Sequence, residues 1–138
     1  MLSLIVGVKG TGKTKKLIEL TNKAVDESHG CVVCLEKGNK LIHNIKHEAR
    51  LIDTDNYFVT DGQSLFGFVA GILASNYDIT HIFIDSALKI CSNDVVGFEK
   101  FLNECEKLTV RYAPLQIVIT SSVPVEEVTD TMKKFIEN

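Results

Sequence analysis

The chain has no apolar run approaching the about 18–20 residues that a membrane-spanning helix needs, so its sequence argues against membrane insertion. It also lacks a basic excess. Fifteen Lys and Arg stand against eighteen Asp and Glu, for a formal net charge of −3. Nucleic-acid binding draws on a clustered basic surface, and this balance argues against such a partner. The charged-then-apolar order of a secretory leader is missing from the N-terminus, which runs straight into strand-like residues. A cytoplasmic location is the expectation. Cysteines are few, four in all. Cys31 and Cys34 form a C-x-x-C pair, but Cys91 and Cys105 do not repeat the spacing that a zinc site requires. The pair lies within the apolar run Cys31–Leu35, where residues three apart face opposite sides of a strand. Reduced core cysteines are therefore expected.

What the chain does have is enough apolar material for a core. Of its 138 residues, 45% are hydrophobic, which suits a single domain spanning residues 1–138. Apolar runs predict strands at Leu2–Val6, Cys31–Leu35, Tyr57–Thr60, His81–Ile84 and Leu115–Ile119. Helical spacing predicts helices over Lys13–Ser28, with Gly30 as its stop, and over Lys40–Arg50 with Asn39 as N-cap. A third helix follows Asp61 or Ser64, apolar nearly all round and deeply packed, with Gly67 and Gly71 allowing close approach to a neighbour. A fourth starts at Asn93 or Asp94. The last opens at Ser122-Val123-Pro124 with Val128, Met132, Phe135 and Ile136 inward. Asp53-Thr54-Asp55-Asn56 reads as a polar turn. His43 and His47 sit four apart but lack a plausible third metal ligand, so exposed histidines are expected.

The stretch with chemical content is Gly7-Val8-Lys9-Gly10-Thr11-Gly12-Lys13-Thr14. It fits the pattern G-x-x-x-x-G-K-S/T, and it lies between a predicted strand and a predicted helix. Glycines let backbone N–H groups turn onto phosphates, and the helix start adds the positive end of its dipole. Lys13 reaches the β- and γ-phosphates in such a loop, and the Thr14 hydroxyl meets Mg²⁺. Lys15 and Lys16 are close enough to the loop to add positive potential, the alternative being a solvated helix face. The second landmark is His81-Ile82-Phe83-Ile84-Asp85. A buried parallel strand ending in Asp delivers a carboxylate to the sheet edge where ligands bind. Asp85 is thus the partner of Thr14 for Mg²⁺. Leu115–Ile119 ends in Thr120-Ser121-Ser122. A polar residue there faces the γ-phosphate in many P-loop enzymes, so by that resemblance Thr120 or Ser121 is a candidate sensor, the alternative being an ordinary polar strand end.

Together the two motifs resemble those of the P-loop NTPases. The resemblance implies a three-layer α/β/α sandwich with a mainly parallel five-stranded sheet. The β-α units between the motifs are more similar to the RecA-like, additional-strand ATPases than to GTPases. That likeness implies that Leu115–Ile119 separates the first strand from the strand ending at Asp85. The base-reading N-K-x-D of GTPases is missing, which favours ATP. ATPases of this kind carry a Glu after the strand-end Asp to orient water; Ser86 stands there instead. Glu36, at the end of the second strand, is the alternative carboxylate. P-loop nucleotide kinases close several arginines over the transferred phosphate, whereas this chain has two, Arg50 and Arg111.

Small stand-alone P-loop proteins are sometimes labelled twitching-motility ATPases, but the second domain and the acidic and histidine boxes of pilus motors are missing here. The expectation is an Mg-ATP-binding protein and slow ATPase acting as a switch or as part of an assembly, with a protein partner or self-association. Its nucleotide ligands run from Gly7 to Lys15, its metal ligands are Thr14 and Asp85, and Lys13, Glu36 and Thr120 serve the chemistry. The alternatives are a small-molecule kinase and a non-catalytic interaction module with a vestigial loop.

Overall fold

The computed structural model describes residues 1–136. Its strands are β1 (Leu2–Gly7), β2 (Cys31–Glu36), β3 (Arg50–Asp53), β4 (Ile79–Ile84) and β5 (Gln116–Ser122). They form one sheet in the order β1-β5-β4-β2-β3, and every neighbouring pair is parallel. The helices are α1 (Lys13–Glu27), α2 (Gly62–Ser75), α3 (Ala87–Ile90), α4 (Val95–Arg111) and α5 (Asp130–Lys133).

Alternation along the strands sorts the core onto two faces. Leu4, Leu35, Ile82, Ile84, Ile117 and Ile119 pack with Leu65 and Val69 of α2 and with Phe98, Phe101 and Leu102 of α4. Their neighbours Ile5, Cys34, Phe83 and Val118 face the other way, onto Leu17 and Ala24 of α1 and onto Leu41, Ile45 and Ala49. A parallel sheet covered on both sides needs inner strands that are apolar on both faces, and these strands are. The result is the three-layer α/β/α sandwich. The strand Gln116–Ser122 lies between β1 and β4, the order that the resemblance implied.

Several local expectations are corrected. Residues 40–49 are a chain of turns rather than the helix Lys40–Arg50. Leu41, Ile45 and Ala49 still point inward, but Ile42 is exposed. The side-chain amide of Asn22, on α1, takes over the backbone there: it donates to the Asn44 carbonyl at 2.9 Å and accepts from the Lys46 N–H at 2.9 Å. Those groups would otherwise continue a helical ladder. Arg50 begins β3, a strand hidden in sequence between a helical pattern and a polar turn. The expected strand Tyr57–Thr60 is absent. A 3-10 turn, Thr54–Tyr57, runs into Phe58 at φ 60°. Asp53 holds this corner by accepting from Asp55 N at 2.9 Å and from Gly38 N at 2.8 Å.

Helix α2 is packed on one side only: Leu65 and Val69 are fully buried, while Gly67 and Gly71 are exposed. The glycine approach lies elsewhere, where a Cβ on Gly62 would run into the Gly97 carbonyl of α4. Gly30 likewise serves by closeness, since a Cβ there would run into the Asp78 carbonyl; the C-cap of α1 is Ser28. The last helix shrinks to a 3-10 turn, Val125–Glu127, and to α5, whose N-cap Thr129 accepts from Met132 N at 3.2 Å. Met132 and Phe135 remain buried. Beyond α5 the chain reaches the β1 edge, where Leu4 N donates to the Phe135 carbonyl at 2.6 Å and Ile136 bridges Leu4. Among the described residues no helix is long and apolar enough to cross a membrane.

All four cysteines are free, and Cys31 is the exception to core burial, being exposed at the start of β2. Burial, then the charges of Asp85 and Glu36, push the Cys34 thiol well up. Burial, with Asp61 and Asp94, pushes Cys91 up to about 12; Cys105 rises chiefly through burial. Because the thiolate is the reactive form, an alkylating reagent at mildly alkaline pH should label Cys31 alone in the folded protein. All four should react after denaturation. Mass spectrometry reads the difference, and native labelling of Cys34 would contradict this packing.

Candidate functional site

The loop between β1 and α1 lies at the C-terminal edge of the sheet. Its shape depends on Gly10 and Gly12, at φ 87° and 84°. No atom blocks a Cβ at either, so it is the left-handed backbone that calls for glycine. Thr11 Oγ1 donates to the Val8 carbonyl at 2.7 Å, and Lys13 Nζ donates to the same oxygen at 2.9 Å. Lys13 therefore lies folded back over its own loop. Helix α1 starts with no side-chain cap and no acidic residue in its first turn. Its leading N–H groups and positive dipole end are left for another acceptor. By contrast, Asp61 and Ser64 close a full capping box on α2.

Opposite the loop, β4 delivers Asp85. Its Oδ1 accepts from Thr14 Oγ1 at 3.1 Å and from Thr120 Oγ1 at 2.8 Å, while Ser86 Oγ donates to Oδ2 at 3.3 Å. Ser86 N in turn donates to Thr120 Oγ1 at 2.8 Å. Thr14 and Asp85 are 71 positions apart in the chain, and only the sheet order brings them together. The backbone turns sharply after Asp85, with Ser86 at φ 55°, and so leads directly into α3.

The loop, Thr14, Asp85 and Ser86 border a cavity of about 570 Å³, with Thr120 buried behind them. Lys9, Gly10, Gly12, Lys13, Thr14 and Lys15 line one side; Gly7, Val8 and Thr11 build the loop behind them. Lys40 and Leu41 after β2, Asp85, Ser86 and Lys89 after β4, and Ser122 of β5 complete it. Five lysines thus surround one carboxylate. Neither Arg50 nor Arg111 is in this lining. Arg50 is the first residue of β3 and Arg111 the last of α4, so each lies on the approach to a strand rather than at its exit.

Two sequence candidates take forms that differ from their expected roles. Glu36 is 3% exposed and does not border the cavity. Its two oxygens accept from Lys40 N at 3.0 Å and from Leu41 N at 3.1 Å. It caps the turn that Asn39 was expected to cap. Burial raises its pKa above the ordinary carboxylate value despite those two hydrogen bonds, with the Asp85 and Asp53 charges adding to the rise. Thr120 is 1% exposed and binds Asp85 and Ser86, whereas Ser121 is buried with its Oγ unpartnered. Of the two, Thr120 belongs to the site.

His43 and His47 are exposed. Among the described residues no three His, Cys, Asp or Glu side chains gather to hold a metal. Thr14 and Asp85 nevertheless suit Mg²⁺, which takes one or two protein oxygens and completes its shell with phosphate and water. Lys40, Lys89 and Ser122 were missed in sequence. The available signal was position: Lys40 and Lys89 each follow an inner strand's exit by a few residues, at the edge where open α/β sheets bind ligands. No protein-family model matches the chain, and no curated protein is detectably similar to it.

Glu36→Ala leaves two backbone N–H groups without their acceptor and should cost about 1–3 kcal/mol of stability, read by denaturant unfolding. Its raised pKa lets the native state hold a proton that the unfolded chain has released. That contribution is full below the ordinary carboxylate range and is lost as pH rises through the raised value. Glu36→Gln should remove this pH-dependent decline; an unaltered pH profile would contradict the assignment. Thr120→Val, close in shape, deprives Ser86 N of its acceptor and Asp85 of a donor. A loss of about 1–3 kcal/mol is expected, and an unchanged unfolding midpoint would contradict the network.

Proposed function

We propose that the chain binds Mg-ATP in this cavity and hydrolyses it slowly, serving as a nucleotide-dependent switch or as a component of a larger assembly in the cytoplasm. The observation that carries the reading is the 3.1 Å hydrogen bond between Thr14 and Asp85. It joins the two motifs that resemble those of P-loop NTPases, beside an uncapped helix start. In this reading the loop from Gly7 to Thr14 wraps the phosphates, with Lys15 adding charge. Lys13 releases the Val8 carbonyl and turns to the phosphate chain. Thr14 and Asp85 hold Mg²⁺, which neutralises phosphate charge and orients the terminal group when bound. Thr120 positions Asp85 rather than touching phosphate.

Slow turnover follows from what the cavity offers to water. Among the described residues Asp85 is the one carboxylate in the lining, and its Oδ1 accepts from both threonines. Ser86 stands where a water-orienting Glu would be, and Glu36 is engaged by backbone N–H groups. Positioning and charge neutralisation remain, and they support a low rate without a base.

Thermal unfolding with Mg-ATP, Mg-GTP and Mg-ADP tests the reading. Nucleotide at about a hundred times its dissociation constant should stabilise the fold by roughly 2.7 kcal/mol. The gain should be largest with the adenine nucleotides and vanish in Lys13→Ala. No shift with any nucleotide, or an undiminished shift in the variant, would overturn it.

A further inference from the structure

Resting on that nucleotide-binding reading, we propose that Lys40 and Lys89 form a second cationic wall that contacts the terminal phosphoryl group and makes the cavity prefer a nucleoside triphosphate to a diphosphate. Both lie outside the phosphate-binding loop. Lys40 follows β2 and Lys89 lies on α3 after β4; both border the cavity together with Asp85. The loop N–H groups and Lys13 form one wall of the site, with Lys13 reaching the β- and γ-phosphates. Thr14 and Asp85 would hold a magnesium ion that neutralises charge on the outer phosphates, so the γ-phosphoryl group would lie toward Asp85. Lys40 and Lys89, which border the same cavity as Asp85, are then placed to meet the group that ATP has and ADP lacks.

The ammonium groups are available for this. Lys37 and Lys46, on the same stretch as Lys40, are paired with Asp55 at 2.7 Å and with Asp26 at 2.6 Å. Among the described residues Lys40 Nζ and Lys89 Nζ have no acidic partner. Their backbones are well fixed nonetheless. The Lys40 N–H is held by the buried Glu36 carboxylate at 3.0 Å. Lys89 lies between buried Ala87 and buried Ile90 on α3. A flexible ammonium on a fixed mount loses less on binding than one on a mobile loop.

Charge also points this way. Five lysines and one aspartate converge on the cavity, and like charges in a partly enclosed space repel one another. A ligand with one more phosphoryl group relieves more of that repulsion. P-loop enzymes commonly bring arginine to the transferred phosphate, yet both arginines of this chain lie outside the lining. Lysine is the cation present. As a compact point charge it serves phosphate without the two-pronged geometry of arginine.

The test is calorimetric titration of the full chain with Mg-ADP and with a non-hydrolysable Mg-ATP analogue. The variants are Lys40→Met, Lys89→Met and, as a control for net charge, Lys133→Met on α5. Nucleotide-free melting confirms that each folds. The wild type and Lys133→Met should prefer the triphosphate analogue. Each cavity variant should lose about tenfold or more in affinity for it, the scale of one charged hydrogen bond, while Mg-ADP affinity stays within about twofold. Equal weakening toward both nucleotides would overturn the proposal in favour of a general electrostatic field. Unchanged affinities would overturn it outright. Wild-type protein that binds neither nucleotide would instead remove the nucleotide reading beneath it, so the two failures are distinct.

Discussion

Asp85 Oδ1 accepts two hydroxyl hydrogen bonds, one from Thr14 at the start of α1 and one from Thr120 near the end of β5. Through them, one carboxylate oxygen ties together the exits of β4 and β5 and the helix that follows β1. The arrangement is possible because β5 lies between β1 and β4. Its register sets Ile84 against Ile119 and Ile5 against Thr120. A charged group that is 9% exposed is tolerable only where donors surround it, and here threonine, serine and the neighbouring cavity provide that setting. The core serves the same end. Ile82 and Ile84 anchor β4 on one face and Phe83 on the other, so the position of Asp85 follows from packing as much as from its own hydrogen bonds.

The electrostatic design is lopsided. At the site, lysines outnumber carboxylates by five to one, although the whole chain carries a net charge of −3. Positive charge is thus concentrated at one sheet edge while acidic groups are spread elsewhere. Such a field favours phosphate-rich ligands. It also explains why overall charge was a poor guide to the site, because a small cavity contributes little to the sum. The buried Glu36 fits this picture as a structural part. It fixes the turn that carries Lys40, and its own charge is spent on backbone N–H groups rather than left open to the cavity.

How much could be read beforehand differed by segment, for physical reasons. The loop around Gly10 and Gly12 was legible because its backbone requirement is local: a left-handed turn needs glycine, and the helix follows at once. The strand ending at Asp85 was legible because buried parallel strands show as apolar runs. The place of Leu115–Ile119 in the sheet came from the resemblance to P-loop NTPases, since an apolar run carries no strand order. The stretch from Gly38 to Thr60 was not. There a helical apolar pattern was overruled by distant partners, with Asn22 claiming the backbone near Asn44 and Lys46 and with Asp53 clamping Gly38 and Asp55. The C-terminal stripe predicted which residues face inward, since Met132 and Phe135 are buried, but not their conformation. The roles of Glu36 and Thr120 depended on hydrogen bonds that no spacing reveals. No motif pointed to Lys40 or Lys89, whose place at the cavity depends on how the strand exits come together.

The central claim is that Thr14 and Asp85 act as one unit that holds magnesium against a nucleotide. A double-mutant cycle tests it most directly, measuring ATP affinity as a function of magnesium for wild type, Thr14→Ala, Asp85→Asn and the double variant. The account predicts magnesium-dependent binding in the wild type and losses that fall short of additivity, with a coupling of about 0.5–3 kcal/mol. Binding indifferent to magnesium, or losses that simply add, would contradict it.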